Sequence, residues 1–178
     1  MAPVTAHVGF LKGCWMMEVE VRLVPIDKKT LRVKPYEFIK YIDKNTVSLF
    51  VSAPDFAYGI MDPIKEVSEI AMRRGIGCHV DSCLGGFMLC FMEKAGFDIP
   101  PYDFRLPGVT SLSCDTHKYG FAPKGTSLLV FKNEEWRSNL YFGVHGSTLG
   151  PLPGIGFRFD RPQHFIVGAW TALIKTGH

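Results

Sequence analysis

Short apolar runs alternate with segments of helical periodicity along most of the chain. Residues 47–53 (VSLFVSA) form a continuous apolar run, which is typical of a strand buried on both faces. Residues 76–81 (IGCHVD) predict another short strand that ends in a carboxylate. The same patterns predict further strands at 109–114 and 126–131, and helices at 35–44, 64–74, 86–95 and 165–174.

Local patterns complete the prediction. Apolar and charged residues alternate from Met17 to Leu23, which predicts a strand with one solvated face. The pair Asp62 and Pro63 predicts a helix N-cap followed by proline at the first helical position, and Gly75 predicts the end of that helix. The resulting order, β-α-β-α-β-α-β-β with short connections, predicts an α/β domain with a mostly parallel sheet.

The C-terminal part has a different character. Residues 143–163 contain five glycines and three prolines, which predicts a long irregular segment before the last helix. We therefore expect residues 1–142 to form the body of the domain. Residues 143–178 are expected to be an irregular segment and a terminal helix of the same domain.

Composition and charge narrow the possible functions. Of the 178 residues, 47% are hydrophobic and 21% are charged, as in soluble globular domains. The net charge of +3 is too small and too evenly spread to indicate nucleic acid or an anionic membrane as a partner. Apolar runs are too short for a membrane span, and the N-terminus lacks signal-peptide features. Five cysteines, an odd number, favour reduced thiols in a cytosol-facing protein.

Two strand ends carry candidate reactive groups. Asp81 ends a predicted strand and Lys118 lies in the loop after another, and ligands of α/β sheets bind beyond such ends. Burial of Lys118 would lower its pKa and free the amine as a nucleophile, although a surface lysine is the more frequent role of this residue type. Asp81 could bind a cation or a protonated ring nitrogen, or it could equally be a helix N-cap.

Histidines and cysteines offer weaker signals. His7 could stack on an aromatic cofactor ring or be a half-buried structural histidine, and His79 could pack against a helix. Structural zinc sites use two closely spaced ligand pairs, whereas only Cys114 and His117 have such a spacing here. We therefore expect no metal site, and the cysteines to act as small buried apolar residues. Phosphate-loop, dinucleotide-binding and nucleophile-elbow motifs do not occur in the sequence.

Several longer motifs together resemble one enzyme family. APVTAHVGFLKG (2–13), SAPDFAYGIMDPI (52–64), HVDSCLGGF (79–87), FMEKAGFD (91–98) and GVTSLSCDTHKYGFAPKGTS (108–127) are similar to the sphingosine-1-phosphate lyase family. This family belongs with the group II amino-acid decarboxylases, which have the fold-type I fold of pyridoxal-phosphate (PLP) enzymes. The resemblance covers residues 2–142 and resumes at 161–162 and 168–173. It implies part of the large domain, a mostly parallel sheet flanked by helices.

The resemblance implies a role for individual residues. Lys118 aligns with the lysine that forms a Schiff base with pyridoxal 5'-phosphate, and Asp81 with the carboxylate that pairs with the pyridine nitrogen. His7 aligns with the histidine that stacks on the ring, and His117 with the residue preceding the lysine. Tyr58 falls where the family has a residue near the site. A carboxylate at Asp81 would favour the protonated ring, which PLP needs as an electron sink.

The implied reaction is cleavage of the C2–C3 bond of a phosphorylated sphingoid base, which yields a long-chain aldehyde and phosphoethanolamine. The resemblance also implies a homodimer, and attachment to the endoplasmic reticulum membrane for a full-length member. An amino-acid decarboxylase on the same fold is the alternative enzyme, and a non-catalytic remnant is the alternative outside enzymes. The family's phosphate-binding loop precedes the matched segment, so the 178-residue chain alone is expected to bind PLP weakly and to lack lyase activity.

Overall fold

The computed structural model describes residues 1–144, 152–155 and 162–176. Its elements are, in chain order, β1 (Ala2–Pro3), α1 (Val8–Met16), β2 (Leu23–Val24), α2 (Pro35–Tyr41), β3 (Ser48–Ser52), α3 (Ile64–Arg74), β4 (Gly77–Asp81), α4 (Gly86–Lys94), β5 (Ser111–Cys114), β6 (Leu128–Phe131), α5 (Glu134–Ser138), β7 (Tyr141–Val144), β8 (Leu152–Ile155) and α6 (Gln163–Thr176). Within these ranges no helix combines the length and the apolarity that crossing a membrane requires.

The central sheet has the strand order β3-β4-β5-β6. The first three strands run parallel, and β6 joins β5 in the antiparallel direction. The predicted α/β domain with a mostly parallel sheet is therefore confirmed. A second parallel pair, β1 and β2, lies beside β3, since the backbone N–H of Phe50 donates to the carbonyl of Met1.

The two faces of the central sheet are covered differently. One face presents the fully buried Val51 and Val80, which pack in one apolar cluster with α3 and with Leu89 of α4. The other face carries Phe50, on whose ring Phe10 of α1 stacks with a centroid distance of 4.3 Å. Parallel strands with helices on both sides are the expected solution for burying such a sheet.

Helix α3 ends as predicted but begins differently. Gly75 adopts a left-handed conformation with φ 66°, and its N–H donates to the carbonyl of Ala71. At the other end, Pro63 and not Asp62 occupies the N-cap position. Asp62 Oδ2 instead accepts a hydrogen bond of 2.8 Å from the backbone N–H of Ser52, at the end of β3. The predicted capping role of Asp62 is therefore wrong, because the carboxylate binds the backbone at the end of β3 and not the first turn of α3.

The strand predicted from Met17 to Leu23 is also wrong. Residues 8–16 form helix α1, and only Leu23 and Val24 form a strand. The backbone N–H groups of Met17 and Val19 close the helix end by donating to carbonyls of its last turn. The alternating residues are largely exposed, and α1 contains no buried residue, so neither segment has the one-sided burial that makes periodicity informative.

The C-terminal part contains more regular structure than predicted. Where residues 143–163 were expected to be irregular, Leu152–Ile155 pairs antiparallel with Tyr141–Val144. Residues 145–151 and 156–161 of that segment lie outside the described residues. The predicted last helix is confirmed as α6, which packs against the loop before β6: a Cβ atom at Gly125 would lie 2.5 Å from the ring of Phe165.

Candidate active site

The carboxyl ends of three parallel strands bring the candidate residues to one edge of the sheet. β3 ends at Ser52, β4 at Asp81 and β5 at Cys114. Asp81 is the register partner of Ser52 on one side and of Ser113 on the other, so their side chains lie on the same face. Ligands of α/β sheets bind at such an edge, which makes it the candidate active site.

Asp81 is fixed by two hydrogen bonds to the same oxygen. Its Oδ1 accepts from the backbone N–H of Cys83 at 3.0 Å and from the hydroxyl of Ser113 at 3.2 Å. Helix α4 begins after Gly85, which takes the N-cap position, so the alternative role of Asp81 as a helix N-cap is wrong. Because both hydrogen bonds fall on Oδ1, Oδ2 is the oxygen that can accept from a ligand.

Hydrogen bonds of Thr116 hold the loop that carries Lys118 in place. The hydroxyl of the buried Thr116 donates to the carbonyl of Thr126 at 3.0 Å, which ties the loop to the start of β6. Within the loop, the N–H of Ala122 donates to the carbonyl of Thr116. A Cβ atom at Gly120 would lie 2.5 Å from that carbonyl oxygen, so glycine is needed for the tight turn.

The Lys118 amine contacts two groups of the site. Nζ lies 3.0 Å from Cys83 Sγ and 3.0 Å from Asp115 Oδ2. Burial alone would lower the pKa of Lys118, but the hydrogen bonds to Cys83 and Asp115 outweigh it, so this pKa lies above its ordinary value. The expectation that desolvation frees the amine is therefore wrong for this arrangement, in which Lys118 is held as an ammonium.

Cys83 links Asp81 to Lys118, a connection that the sequence analysis missed. Its N–H donates to Asp81, its carbonyl accepts from the N–H of Asp115, and its sulfur accepts from Lys118. Burial raises the pKa of the Cys83 thiol to about 11, although Lys118 opposes this shift. The uncharged thiol therefore lies between the carboxylate and the amine and contacts both residues. The only sequence feature that could have indicated this role is the position of Cys83, two residues after Asp81.

The remaining predicted residues lie at different distances from this centre. His117 is partly buried, and its Nδ1 donates to the carbonyl of Thr126 at 3.0 Å. His7 is exposed at the N-cap of α1, where its Nδ1 accepts from the N–H of Gly9, and its ring meets the edge of Phe56. Among the described residues, His7 has no hydrogen bond or ring contact with Asp81 or Lys118. Tyr58 is also exposed.

His79 lies on the same face of β4 as Asp81, and its expected packing against a helix stays a prediction. Its ring contacts Phe50 of the neighbouring strand and the hydroxyls of Ser111 and Ser113. Of the cysteines, Cys78 is buried and the other four are partly buried. The described part of the chain contains no group of three or more side chains placed to hold a metal ion.

Comparison with known proteins identifies the family. The model of the pyridoxal-dependent decarboxylase conserved domain matches residues 2–144. The chain belongs to the pyridoxal-dependent decarboxylase family. Pyridoxal phosphate, the predicted cofactor, is the cofactor of this family.

Within the family, the chain is similar to sphingosine-1-phosphate lyases. It is 44% identical to the lyase of Saccharomyces cerevisiae, covering 99% of this chain and 30% of that protein. It is 40% identical to sphingosine-1-phosphate lyase 1 of Mus musculus, covering 99% and 31%. The chain thus spans about a third of the length of these curated relatives. The predicted resemblance is confirmed.

Solved structures agree with this placement. A sphingosine-1-phosphate lyase of Burkholderia pseudomallei superimposes with a TM-score of 0.94 at 40% identity, over 99% of this chain and 40% of that one. A glutamate decarboxylase of Lactobacillus brevis has a TM-score of 0.83 at 22% identity, over 99% of this chain and 40% of that one, and shares the fold alone.

The residues at the sheet edge fit pyridoxal phosphate. The aldehyde of pyridoxal phosphate needs an amine as its partner for a Schiff base. Lys118 offers Nζ, which a ligand can reach because the side chain is 30% exposed. A protonated pyridine nitrogen requires a carboxylate oxygen, and Asp81 offers Oδ2. Cys83 contacts both residues and holds them at one site.

Proposed function

We propose that this chain is the cofactor-holding part of a PLP-dependent lyase that cleaves a phosphorylated sphingoid base into a long-chain aldehyde and phosphoethanolamine. The observation that carries the proposal is the junction of Asp81, Cys83 and Lys118 at the sheet edge, in a chain similar to sphingosine-1-phosphate lyases. The bound cofactor would supply an electron sink for the carbanion that C2–C3 cleavage leaves.

Each proposed residue has a physical task. Lys118 would hold the cofactor through Nζ and, once the substrate amine has replaced it, would move a proton between Nζ and the reacting substrate. Asp115 lies 3.0 Å from this amine and would keep it oriented. Asp81 would keep the ring nitrogen protonated through Oδ2. His7 would stack on the ring, and His117 would fix the loop through Thr126.

An apolar groove whose lining includes Tyr119, the residue after Lys118, supports a substrate with a long hydrocarbon chain. A cavity of about 410 Å³ is lined by residues of α4, including Phe87 and Phe91, and by Tyr119 and Phe121 of the lysine loop. Tyr119 follows Lys118 in the chain, and Phe87 follows the glycine that begins α4. An amino-acid decarboxylase would use the same Asp81 and Lys118, and the similarity to sphingosine-1-phosphate lyases favours the lyase.

We also propose that the full protein is a homodimer at the endoplasmic reticulum membrane and binds no nucleic acid. Similarity to sphingosine-1-phosphate lyases supports the first two statements, and the net charge of +3 supports the third. The division into residues 1–142 and 143–178 within one domain remains a prediction.

Two measurements test the proposed function. Borohydride reduction in the presence of PLP, followed by peptide mapping, should place the pyridoxyl label on Lys118, and a label on Lys124 instead would refute the assignment. Because the 178-residue chain alone is expected to lack lyase activity, product analysis uses a chimaeric lyase, in which residues 2–142 of this chain replace the matching segment of a full-length sphingosine-1-phosphate lyase. This chimaeric lyase should release aldehyde from a phosphorylated sphingoid base. Carbon dioxide release from amino acids, with no aldehyde from the sphingoid base, would support the decarboxylase and contradict the lyase.

A further inference from the structure

A line of polar side chains leads along one face of the sheet to Asp81. His79 Nδ1 lies 2.8 Å from the hydroxyl oxygen of Ser111, and His79 Nε2 lies 3.2 Å from that of Ser113. The Ser113 hydroxyl donates in turn to Asp81 Oδ1 at 3.2 Å. Strand register accounts for this arrangement, since His79 pairs with Ser111 and Asp81 pairs with Ser113 across β4 and β5.

The carboxylate fixes the direction of every hydrogen bond in this line. An ionised carboxylate only accepts, so the single hydroxyl proton of Ser113 points to Asp81. Ser113 can then only accept from His79, which places a proton on Nε2. The neutral ring therefore leaves Nδ1 as an acceptor, and Ser111 donates to it.

The surroundings of His79 keep the ring neutral and in place. Burial lowers the pKa of His79, and the nearby Asp81 opposes this shift without reversing it. The ring of His79 lies 5.5 Å from that of Phe50 at an interplanar angle of 33°, and Phe10 in turn stacks on Phe50. A neutral imidazole with one donor and one acceptor nitrogen is what a directed line of hydrogen bonds requires.

We propose that Ser111, His79 and Ser113 form a directional hydrogen-bond relay that positions the Asp81 carboxylate for a cofactor ring nitrogen. The inference rests on the proposed function for the identity of the ligand at Asp81. Ser113 occupies Oδ1 and prevents rotation of the carboxylate, while His79 and Ser111 orient and polarise the Ser113 hydroxyl. All three act through Asp81 and are positioning residues.

The direction of the relay can be tested without cofactor. Nitrogen NMR of the chain labelled with ¹⁵N-histidine, with His79 assigned from His79→Gln, should show the neutral Nε2–H tautomer. Ser113→Ala should shift the population towards Nδ1–H, because Nε2–H loses its acceptor and Ser111 can accept instead. The matched control Ser111→Ala should keep Nε2–H. A wild-type ring with the proton on Nδ1, or equal responses to both serine changes, would overturn the relay.

Its role is tested with the cofactor bound. In Ser113→Ala we expect about tenfold weaker PLP binding, as for loss of one hydrogen bond to a charged group, and a smaller protonated fraction of ¹⁵N-labelled ring nitrogen. Ser113→Thr, which keeps the hydroxyl, should restore both, and Ser111→Ala should have the smaller effect. Unchanged affinity and protonation in Ser113→Ala would overturn the role while leaving the proposed function standing. A chimaeric lyase with the wild-type residues that binds no PLP would overturn both.

Discussion

The two faces of strand β4 use the same backbone for opposite purposes. Cys78 and Val80 are fully buried in the apolar cluster with α3. His79 and Asp81 point to the other face, where hydrogen bonds and a ring contact hold them. Successive side chains of a strand alternate between faces, so a five-residue strand builds the core and the site at the same time.

The difference shows what each face contributes. The apolar face stabilises the fold through burial, which is nearly independent of direction. The polar face contributes less to stability, because each hydrogen bond replaces one to water, but it depends strongly on geometry. Substitutions on the apolar face should therefore lower the free energy of unfolding. Substitutions on the polar face should change cofactor binding, turnover and the pKa of the Lys118 amine.

The largest expected effect is on the polar face, at Asp81. Asp81→Asn should leave the fold nearly intact and, in the chimaeric lyase loaded with PLP, lower turnover about a hundredfold or more, which corresponds to about 2.7 kcal/mol of activation free energy. The cause is the loss of the negative charge that keeps the ring nitrogen protonated. Steady-state kinetics and thermal unfolding measure the two effects. The exposed Asp98→Asn is the matched control, and near-normal turnover in Asp81→Asn would contradict the assigned role.

On the apolar face, Val80→Ala should lower the stability of the fold and leave the contacts of the site unchanged. Val80 is fully buried, and removing two methyl groups should lower the free energy of unfolding by about 2–3 kcal/mol. Urea unfolding measures the change, and Val130→Ala, at a side chain that is 42% exposed on β6, should cost less than about 1 kcal/mol. Equal losses in the two variants would contradict the division between the faces.

Asp62 sharpens the comparison because it is a buried carboxylate that contacts the end of β3. Burial raises its pKa to about 7, against the opposing hydrogen bond from Ser52. The folded state therefore holds a proton that the unfolded state releases near pH 4, so this contribution to stability is lost as the pH rises from about 4 to about 7. Asp62→Asn should raise the free energy of unfolding at pH 8 and leave it nearly unchanged at pH 4.

Urea unfolding at the two pH values, with Asp98→Asn as the control, tests the Asp62 prediction. The control should keep the pH dependence of the wild type. If Asp62→Asn kept it as well, another group would be responsible and the raised pKa of Asp62 would not describe the folded protein.

The elements of the fold that could be predicted from the sequence are those that bury one face in the core. The run at 47–53 and the helix ending at Gly75 were predicted correctly, because both bury the same apolar cluster. Helix α1 was missed since it buries no residue completely, and the alternating residues after it are exposed. The strands β7 and β8 were missed although only seven residues separate them, because the glycines and prolines of 143–163 leave no period-2 pattern there.

For the site, the sequence predicted positions better than environments. Asp81 and Lys118 were both placed at strand ends, and the structure brings both to the same edge. The raised pKa of Lys118 was not predictable, because it depends on Cys83, which is 35 positions away in sequence. The roles of Ser111 and Ser113 likewise depend on the register between β4 and β5, which is a tertiary property.

The smallest expected effect is on the amine itself. Asp115 lies 3.0 Å from Lys118 Nζ and helps to raise its pKa, so Asp115→Asn should lower that pKa. Because the Lys118 side chain is 30% exposed and solvent screens the pair, we expect this lowering of the Lys118 pKa to be small. Rates of amine modification in the cofactor-free chain, followed at each lysine by peptide mass spectrometry from pH 7 to pH 11, measure it. The exposed Lys124 is the internal control and should not shift. An unchanged Lys118 profile would mean that Cys83 alone stabilises the ammonium. A lowered Lys118 pKa with little change in the free energy of unfolding would show that Asp115, like the polar face of β4, acts on the site and not on the stability of the core.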